Sequence, residues 1–265
     1  MQNVESVYPL SPAQLDILLR SLQAPELEEY TEQTLWTMEG DLDSAAFADA
    51  WRRLVDRHTV LRTVFFWEGL DTPLQVVRRE AEPGVEFLDW RDTPAGEVEA
   101  RVDDLARRER RGFDLEAAPL FRVVCARTGE REYRCVWSCH HLLLDGWSTG
   151  QALREVFTLY DGLSRGEAPT LASPPPFQAY LSWLQAQPTT GAEAFWRATL
   201  SGAAAPTALP LGGPRDPHGP EAPGHVSATI PAARVERLQE VARRRQLTLN
   251  TLFQGAWALL LGRYR

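Results

Sequence analysis

Cysteines are few in this sequence, and long hydrophobic runs are missing. Three cysteines occur among 265 residues, Cys125, Cys135 and Cys139, and so small and odd a number favours reduced thiols in the core over a disulfide scaffold. No uninterrupted apolar run reaches the about 18 residues that a membrane-spanning helix needs. The first residues also lack the basic and apolar segments of a secretory signal. We therefore expect a cytoplasmic protein that has no membrane partner.

Positive charge is also in short supply. The 28 positively charged residues, all of them arginines, are outnumbered by 36 aspartates and glutamates, which gives a net charge of −8 and a pI near 5.3. This balance argues against a general binder of nucleic acids or anionic membranes. The remaining composition, 44% hydrophobic and 24% charged, is typical of a globular protein, and the length allows one or two folding units.

Hydrophobic periodicity predicts helices and strands along the whole chain. The clearest helix carries apolar residues at helical spacing over 47–55, after a cap at Asp43 or Ser44. Another begins at the capping box that Ser11 forms with Gln14. Further strands are predicted at 31–38, 60–67, 74–77, 120–126 and 133–140, and further helices at 97–111, 148–163, 177–187, 191–200, 232–245 and from 249 onward.

The predicted strand 60–67 contains an unusual charge. It is apolar on both faces apart from Arg62 and Thr63, which is typical of a central strand covered by helices. An arginine in such a strand needs a partner, because an unpaired buried charge is costly.

Proline and glycine concentrate between residues 202 and 225, which hold six of the 19 prolines and five of the 18 glycines. Such a composition predicts a linker without packed structure of its own. We therefore place a first unit at 1–201, the linker at 202–225 and the start of a second unit at 226–265. The last helical pattern lacks the usual closing signals, so we expect the chain to end inside an element and to lack a second lobe.

The strongest candidate for chemistry follows the predicted strand 133–140 and reads His140-His141-Leu142-Leu143-Leu144-Asp145-Gly146. Strand alternation directs the rings of His140 and His141 to opposite sides, so that one can face a cavity and the other the core. A neutral imidazole near pH 7 is suited to accept or position a proton. Asp145 is then an orienting partner and not a reacting group.

Other interpretations of these residues are weaker. A histidine at a strand end is, taken alone, more often structural than catalytic. A zinc site made of Cys139, His140, His141 and Asp145 matches none of the usual ligand spacings. Segment 146–150 (GWSTG) matches the G-x-S-x-G pattern in its letters, but Ser148 does not directly follow the predicted strand, which ends at 140, so it lacks the sharp strand-to-helix elbow of a nucleophilic serine.

Several motifs together resemble a known family. Segment 140–146 is similar to the HHxxxDG signature of condensation domains of non-ribosomal peptide synthetases, relatives of chloramphenicol acetyltransferase and the dihydrolipoyl acyltransferases. Segment 11–14 (SPAQ) resembles the family's first motif, SxAQ, and segment 57–65 (RHTVLRTVF) resembles its second, RHxxLRTxF. Segment 176–180 (PFQAY) is similar to the fourth. The motifs occur in the family's order over most of the chain.

The resemblance implies a fold and a domain organisation. Such domains contain two acetyltransferase-like lobes, and this chain corresponds to the N-terminal lobe, the crossover linker and the first part of the C-terminal lobe. The implied fold class is α/β, a two-layer α+β sandwich in which helices cover a mixed sheet.

The resemblance also implies an activity, which is amide formation between two thioesters. A donor peptidyl or aminoacyl thioester and an acceptor aminoacyl thioester are held by phosphopantetheine on an upstream and a downstream carrier protein. An adenylation domain is adjacent, and the condensation domain itself binds no cofactor and no metal. The resemblance makes His141 catalytic, either as a base for the attacking amine or as a group that positions it and stabilises the tetrahedral intermediate.

The other motif residues take supporting roles by the same resemblance. His140, Asp145, Gly146 and Trp147 surround the catalytic position. Asp145 is expected to form a structural ion pair, and Arg62 is its expected partner because it is a charge in an apolar strand. Gly146 is expected to permit a close approach of backbone and substrate.

Related functions stay open at this point. Epimerisation domains share the fold and the HHxxxDG signature, although segment 11–22 favours condensation. A non-catalytic module that recruits a carrier or another partner would also have this fold and this signature. A free acyltransferase that uses coenzyme A thioesters would be a smaller complete protein. Segment 15–17 (LDI) stands where the family commonly has a basic residue, and it is closer to the branch that accepts a D-configured donor. Because the family's substrate tunnel needs both lobes, we expect this chain alone to be inactive.

Overall fold

The computed structural model describes residues 3–25, 28–167, 169–202 and 228–264. It divides into two units, Met1–Pro188 and Thr189–Arg265. The first unit therefore ends before the expected boundary at residue 201, because the helix that precedes the expected linker clusters with the second unit. From residue 203 onward, the expected linker lies outside the described residues.

The strands and helices follow the predicted order closely. The strands are β1 (Val4–Pro9), β2 (Thr31–Glu39), β3 (Thr63–Phe66), β4 (Leu74–Arg78), β5 (Val85–Asp89), β6 (Phe121–Arg127) and β7 (Glu132–His140). The helices are α1 (Pro12–Gln23), α2 (Ser44–Arg57), α3 (Val98–Arg110), α4 (Gly146–Ser164), α5 (Phe177–Gln185), α6 (Ala192–Thr199), α7 (Ala232–Arg244) and α8 (Leu249–Arg263). None of the helices described is long and apolar enough to cross a membrane.

The two helix caps that the sequence predicts, at Ser11 and at Asp43, are confirmed. The Ser11 hydroxyl accepts a hydrogen bond from the backbone N–H of Gln14 at 3.1 Å, and the Gln14 side chain accepts one from the N–H of Ser11 at 3.0 Å. The Asp43 carboxylate caps α2 by accepting bonds of 3.0 Å from the N–H groups of Ala45 and Ala46. These bonds satisfy donors that the first turn of a helix leaves unpaired.

A four-stranded mixed sheet organises the first unit. Its order is β2-β7-β6-β5, in which β5 runs parallel to β6 and the other neighbours are antiparallel. β6 and β7 form the predicted hairpin. β2 pairs with β7 in a register that places Thr31 opposite His140 and Glu39 opposite Glu132. A smaller antiparallel sheet has the order β1-β4-β3.

Helices cover both faces of the four-stranded sheet. Trp51 of α2 contacts Trp137 of β7, with ring centroids 5.1 Å apart, in a core to which α4 also contributes. On the opposite face, Val102 and Leu105 of α3 pack with Val136 of β7. The side-chain alternation predicted for β7 is therefore confirmed, as is the mixed sheet covered by helices.

The cysteines are free and buried, as the sequence predicted. Cys125 and Cys135 face each other across the β6–β7 hairpin, with their sulfur atoms 2.7 Å apart. Burial raises the pKa of the Cys139 thiol far above its ordinary value, and the nearby Glu32 carboxylate adds to this effect. The thiol of Cys139 is therefore protonated at neutral pH.

The segment predicted as a central strand at 60–67 is different in the structure. Thr59–Arg62 forms a 3-10 turn, and only Thr63–Phe66 forms a strand, β3, at the edge of the smaller sheet. The apolar pattern was a sign of burial and not of a central position, since Val64 and Phe65 are fully buried. β1 and β5 were not predicted, because both are short and half exposed and carry charged residues.

Candidate active site

His141 lies where the sheet meets helix α4. β7 ends at His140, and His141 begins the turn that leads into the helix. Its backbone N–H donates to the carbonyl oxygen of Tyr30, just before β2, at 2.7 Å. The side chain is 30% exposed, which leaves the ring accessible from outside.

The orientation of the His141 ring is set by its own loop. Nδ1 lies 2.7 Å from the carbonyl oxygen of Leu144. A carbonyl only accepts hydrogen bonds, so Nδ1 carries the proton and Nε2 of the neutral ring has its lone pair free. The carboxylate of Glu32 is close to the same side of the ring, with Oε1 3.5 Å from Nδ1. The arrangement is suited to proton acceptance at Nε2.

His140 has a contrasting environment. Its side chain is buried, and its Nδ1 accepts a hydrogen bond of 3.2 Å from the N–H of Leu142. Its ring forms a T-shaped contact with the ring of Phe113, with centroids 6.3 Å apart. Burial, with a smaller contribution from the charge of His141, lowers the pKa of His140 to about 4. His140 is therefore neutral at pH 7, and its backbone contact helps to shape the loop that holds His141.

Asp145 caps helix α4. Its carboxylate accepts a hydrogen bond of 2.8 Å from the N–H of Ser148, and this contact is the main reason that the pKa of Asp145 lies below its ordinary value. The residue is exposed. A capped first turn fixes the point where the loop enters the helix, so Asp145 contributes to the loop's geometry.

The ion pair expected between Arg62 and Asp145 is not formed, and this prediction was wrong. Arg62 is 5% exposed and binds the carboxylate of Glu5 at 2.6 Å. It also donates to the backbone carbonyl groups of Val55, Asp56, Arg78 and Arg79. The sequence indicated correctly that Arg62 needs partners. It did not identify them, because they are Glu5 of strand β1 and backbone carbonyl groups, and neither belongs to a recognisable motif pattern.

Gly146 and Trp147 occupy the first positions of α4. A side-chain carbon built on Gly146 would meet no atom within 4 Å among the described residues, so the fold itself does not require glycine there. Trp147 is 90% exposed. The expected close approach of backbone and substrate at Gly146 stays a prediction.

Gln14 was predicted as a helix cap and not as a neighbour of this loop. Its side-chain amide donates to the carbonyl oxygen of Leu142 at 3.1 Å. It also exchanges hydrogen bonds with Gln75 of β4. The first motif and the histidine loop are thus in direct contact, and the polarity of Gln14 on a buried helix start was the only signal in the sequence.

Two cavities flank the histidine loop. One of about 330 Å³ is lined by the loop residues Leu143 and Leu144, by Ser148 of α4 and by the proline run 174–176. Another of about 310 Å³ lies on the His140 side. Among the residues that the structure describes, no group of three or more His, Cys, Asp or Glu side chains gathers at metal-binding distance.

The helix-covered mixed sheet that carries the HHxxxDG loop has the chloramphenicol acetyltransferase-like fold of solved condensation domains. The family model of the condensation domain matches residues 4–265. This chain belongs to the condensation domain family.

Curated relatives are peptide synthetases. The chain is 43% identical over 266 residues to one of the proteins that make up the linear gramicidin synthase of Brevibacillus parabrevis, covering 99% of this chain and 3% of that protein. It is 40% identical over 240 residues to chondramide synthase of Chondromyces crocatus, covering 89% and 6%. It therefore spans a small fraction of the length of these relatives.

Solved structures share the fold. The first condensation domain of the calcium-dependent antibiotic synthetase, in complex with a substrate analogue, matches with a TM-score of 0.81 at 20% identity, covering 98% of this chain and 62% of that one. A four-domain nonribosomal peptide synthetase bound to AMP and glycine matches with a TM-score of 0.77 at 22% identity, covering 98% and 20%.

Proposed function

We propose that this chain supplies the histidine-bearing lobe of a domain that forms amide bonds in non-ribosomal peptide synthesis. The donor is a peptidyl or aminoacyl thioester, and the acceptor is an aminoacyl thioester. Membership of the condensation domain family supports this reaction class. The observation that carries the proposal is the His141 ring, whose Nδ1 is bound to Leu144 while Nε2 has a free lone pair.

The proposed role of His141 is to handle the proton of the acceptor amine. The amine nitrogen attacks the donor thioester carbon, and a tetrahedral intermediate forms. Nε2 accepts or positions the proton that the nitrogen loses, the carbon–sulfur bond breaks, and the proton passes to the leaving thiolate. Because Leu144 holds the opposite side of the ring, the lone pair is oriented before the amine arrives.

The proposed partners follow from the reaction. Both thioesters are carried on phosphopantetheine arms of carrier proteins, one upstream and one downstream, and an adenylation domain loads the acceptor. The similarity to synthases that are far longer than this chain supports such neighbours. In this proposal the domain binds no cofactor of its own.

We further propose that turnover needs a second lobe in addition to the residues of this chain. The chain corresponds to 62% of the length of the solved condensation domain that it matches. Two tethered thioesters gain most of their reactivity from being held together. Because the substrate tunnel of the family needs both lobes, one lobe without the other cannot hold them in this way. The 265-residue chain is therefore expected to show no transfer by itself.

The test measures transfer between loaded carriers by intact mass. The protein is the synthetase that contains this chain, or the chain extended through the second lobe, with wild type compared with His141→Ala and His141→Gln. We expect both variants to lose at least about 100-fold in rate, because proton transfer by a positioned side chain contributes this much. Unloaded carriers are the control, and thermal melts verify that the variants fold.

The outcomes separate the candidate functions. Transfer by the wild type and loss in both variants supports the proposal. Transfer that persists in His141→Ala rejects the catalytic role of His141. No transfer by a folded wild type with both carriers loaded points to epimerisation, detected as inversion of the donor residue, or to a non-catalytic module that recruits a carrier.

A further inference from the structure

We infer that Glu32 is a positioning residue for His141, and this inference rests on the proposed function. Its carboxylate lies beside the protonated edge of the ring, where it stabilises the imidazolium that forms when Nε2 takes up a proton. Glu32 belongs to β2, outside each of the four motif segments. Its contact with His141 arises from the pairing of β2 with β7.

The sheet register brings the two residues together. Glu32 is opposite Cys139 on the neighbouring strand, and the N–H of His141 binds the carbonyl oxygen of Tyr30, so the pairing continues past His140. His141 is two residues beyond Cys139, which makes it the diagonal neighbour of Glu32 on the same face. Diagonal neighbours are within reach when a side chain is long.

The geometry assigns different tasks to the two groups at Nδ1. The Leu144 oxygen, at 2.7 Å, accepts the hydrogen bond and holds the ring. The Glu32 oxygen, at 3.5 Å, is too far for a strong hydrogen bond but close enough for an electrostatic interaction. Its effect therefore grows when the ring becomes positively charged during the reaction.

The electrostatic effect of Glu32 at this end of β7 also extends to Cys139. Glu32 contributes to the raised pKa of the buried Cys139 thiol, after the larger effect of burial. A carboxylate that disfavours a thiolate on this strand favours a cation beside it.

The other titratable groups near His141 do not replace Glu32. The Asp145 carboxylate interacts with His141, and its hydrogen bonds go to Ser148. His140 is neutral at pH 7, because burial lowers its pKa to about 4. Cys139 stays a neutral thiol. Among the residues that the structure describes, Glu32 is thus the carboxylate near Nδ1, and its 48% exposure makes the interaction moderate and sensitive to salt.

The first experiment needs no turnover. Deuterium exchange at the Cε1 position of His141 is followed by peptide mass spectrometry over a pH series. The midpoint of the exchange rate against pH gives the pH at which the ring binds a proton. The measurement is made on the complete synthetase as wild type, Glu32→Gln and Glu32→Asp. Glu39→Gln is the matched control, because it removes the same charge from the far end of β2, where Glu39 is also exposed.

We expect the exchange midpoint of His141 to lie at lower pH in Glu32→Gln than in the wild type, since removing a nearby negative charge disfavours the cation. Glu32→Asp should shift it less, and Glu39→Gln should not shift it. In the wild type, raising the salt concentration should move the midpoint in the same direction as Glu32→Gln. An unchanged midpoint in Glu32→Gln, or one insensitive to salt in the wild type, overturns the inference.

The second experiment measures peptide transfer against pH in the same variants. Glu32→Gln should move the acidic limb of the rate profile to lower pH and reduce the plateau rate by about 2-fold to 5-fold, because a weaker base transfers protons less readily. A shifted exchange midpoint with an unchanged rate profile shows that Glu32 affects the ring but not the reaction, which rejects the positioning role. If Glu32→Gln shifts the exchange midpoint but the wild type makes no amide bond, the result counts against the proposed function alone.

Discussion

Gln14 and Gln75 hydrogen-bond to each other in the interior through both of their side-chain amides, at 3.0 and 3.3 Å. Gln14 also binds the carbonyl oxygen of Leu142, and Gln75 binds that of Pro9. Both side chains are buried. The pair therefore connects the start of α1, strand β4 and the histidine loop within one polar network.

This network predicts a large cost for removing Gln14. In Gln14→Leu the Ser11 N–H, Leu142 carbonyl and Gln75 amide lose a partner, and we expect the free energy of unfolding to fall by about 2–3 kcal/mol. Urea denaturation followed by tryptophan fluorescence measures the change. The exposed Gln23, at the other end of the same helix, serves as the control in Gln23→Leu and should cost little.

A double variant tests whether the two glutamines act as a pair. Because Gln14→Leu leaves Gln75 unpaired, the combined loss in Gln14→Leu with Gln75→Leu should be smaller than the sum of the single losses. Additive losses would mean that the two side chains stabilise the fold separately.

Arg62 should be far more important for stability than its carboxylate partner. Arg62→Met leaves Glu5 and the surrounding backbone carbonyls without their donor, so we expect a loss of about 3–5 kcal/mol, as for other broken buried ion pairs. Glu5→Gln should cost about 1 kcal/mol or less, because the Glu5 side chain is 39% exposed. Equal losses in the two denaturation curves would show that the ion pair dominates over the carbonyl contacts.

Asp145 should behave as a helix cap. Asp145→Ala is expected to lower stability by about 1 kcal/mol, whereas Asp145→Asn should stay close to wild type, because asparagine caps helices as well as aspartate. Thermal melts of both variants measure the difference. If asparagine were as harmful as alanine, the charge of Asp145 would be essential and the capping role would be insufficient.

His140 should make the fold sensitive to acid. The pKa of His140 is lowered from an ordinary 6.5 to about 4 by burial, so below pH 6.5 the unfolded chain binds a proton that the folded chain excludes. This contribution to stability is complete above pH 6.5, falls as the pH decreases to 4, and amounts to at most about 3 kcal/mol.

The control for this effect is His140→Asn, which keeps an acceptor for the Leu142 N–H but does not titrate. Unfolding free energies of both proteins at pH 4.5 and 7.5 give the comparison, since other titrating groups contribute equally to both. Wild type should lose more stability than His140→Asn on acidification. Equal losses would show that His140 is not the source.

Features that depend on near neighbours in the sequence could be predicted. The capping box of Ser11 with Gln14, the apolar face of α2 and the β6–β7 hairpin each involve residues close together in the chain, and each is confirmed. The HHxxxDG loop was also found from consecutive residues. Such signals need no knowledge of the tertiary structure.

Features that depend on strand register could not be predicted. The partner of Arg62 is decided by the position of β1 beside β4, and β1 itself gave no clear pattern. The contact of Glu32 with His141 needs the register of β2 on β7. A sequence shows which side chains need partners, but the pairing of distant strands selects them.

The pairing of β2 with β7 also constrains the order of folding. Thr31 and His140 are neighbours in the sheet but roughly a hundred residues apart in the chain. Bringing them together costs more chain entropy than forming the local β6–β7 hairpin, so the β2–β7 pairing is expected to form more slowly. On the ribosome, β2 leaves the exit tunnel long before its partner is made. Nascent chains that end before Glu132 should therefore stay protease-sensitive around β2, and protection should begin only after His140 has emerged.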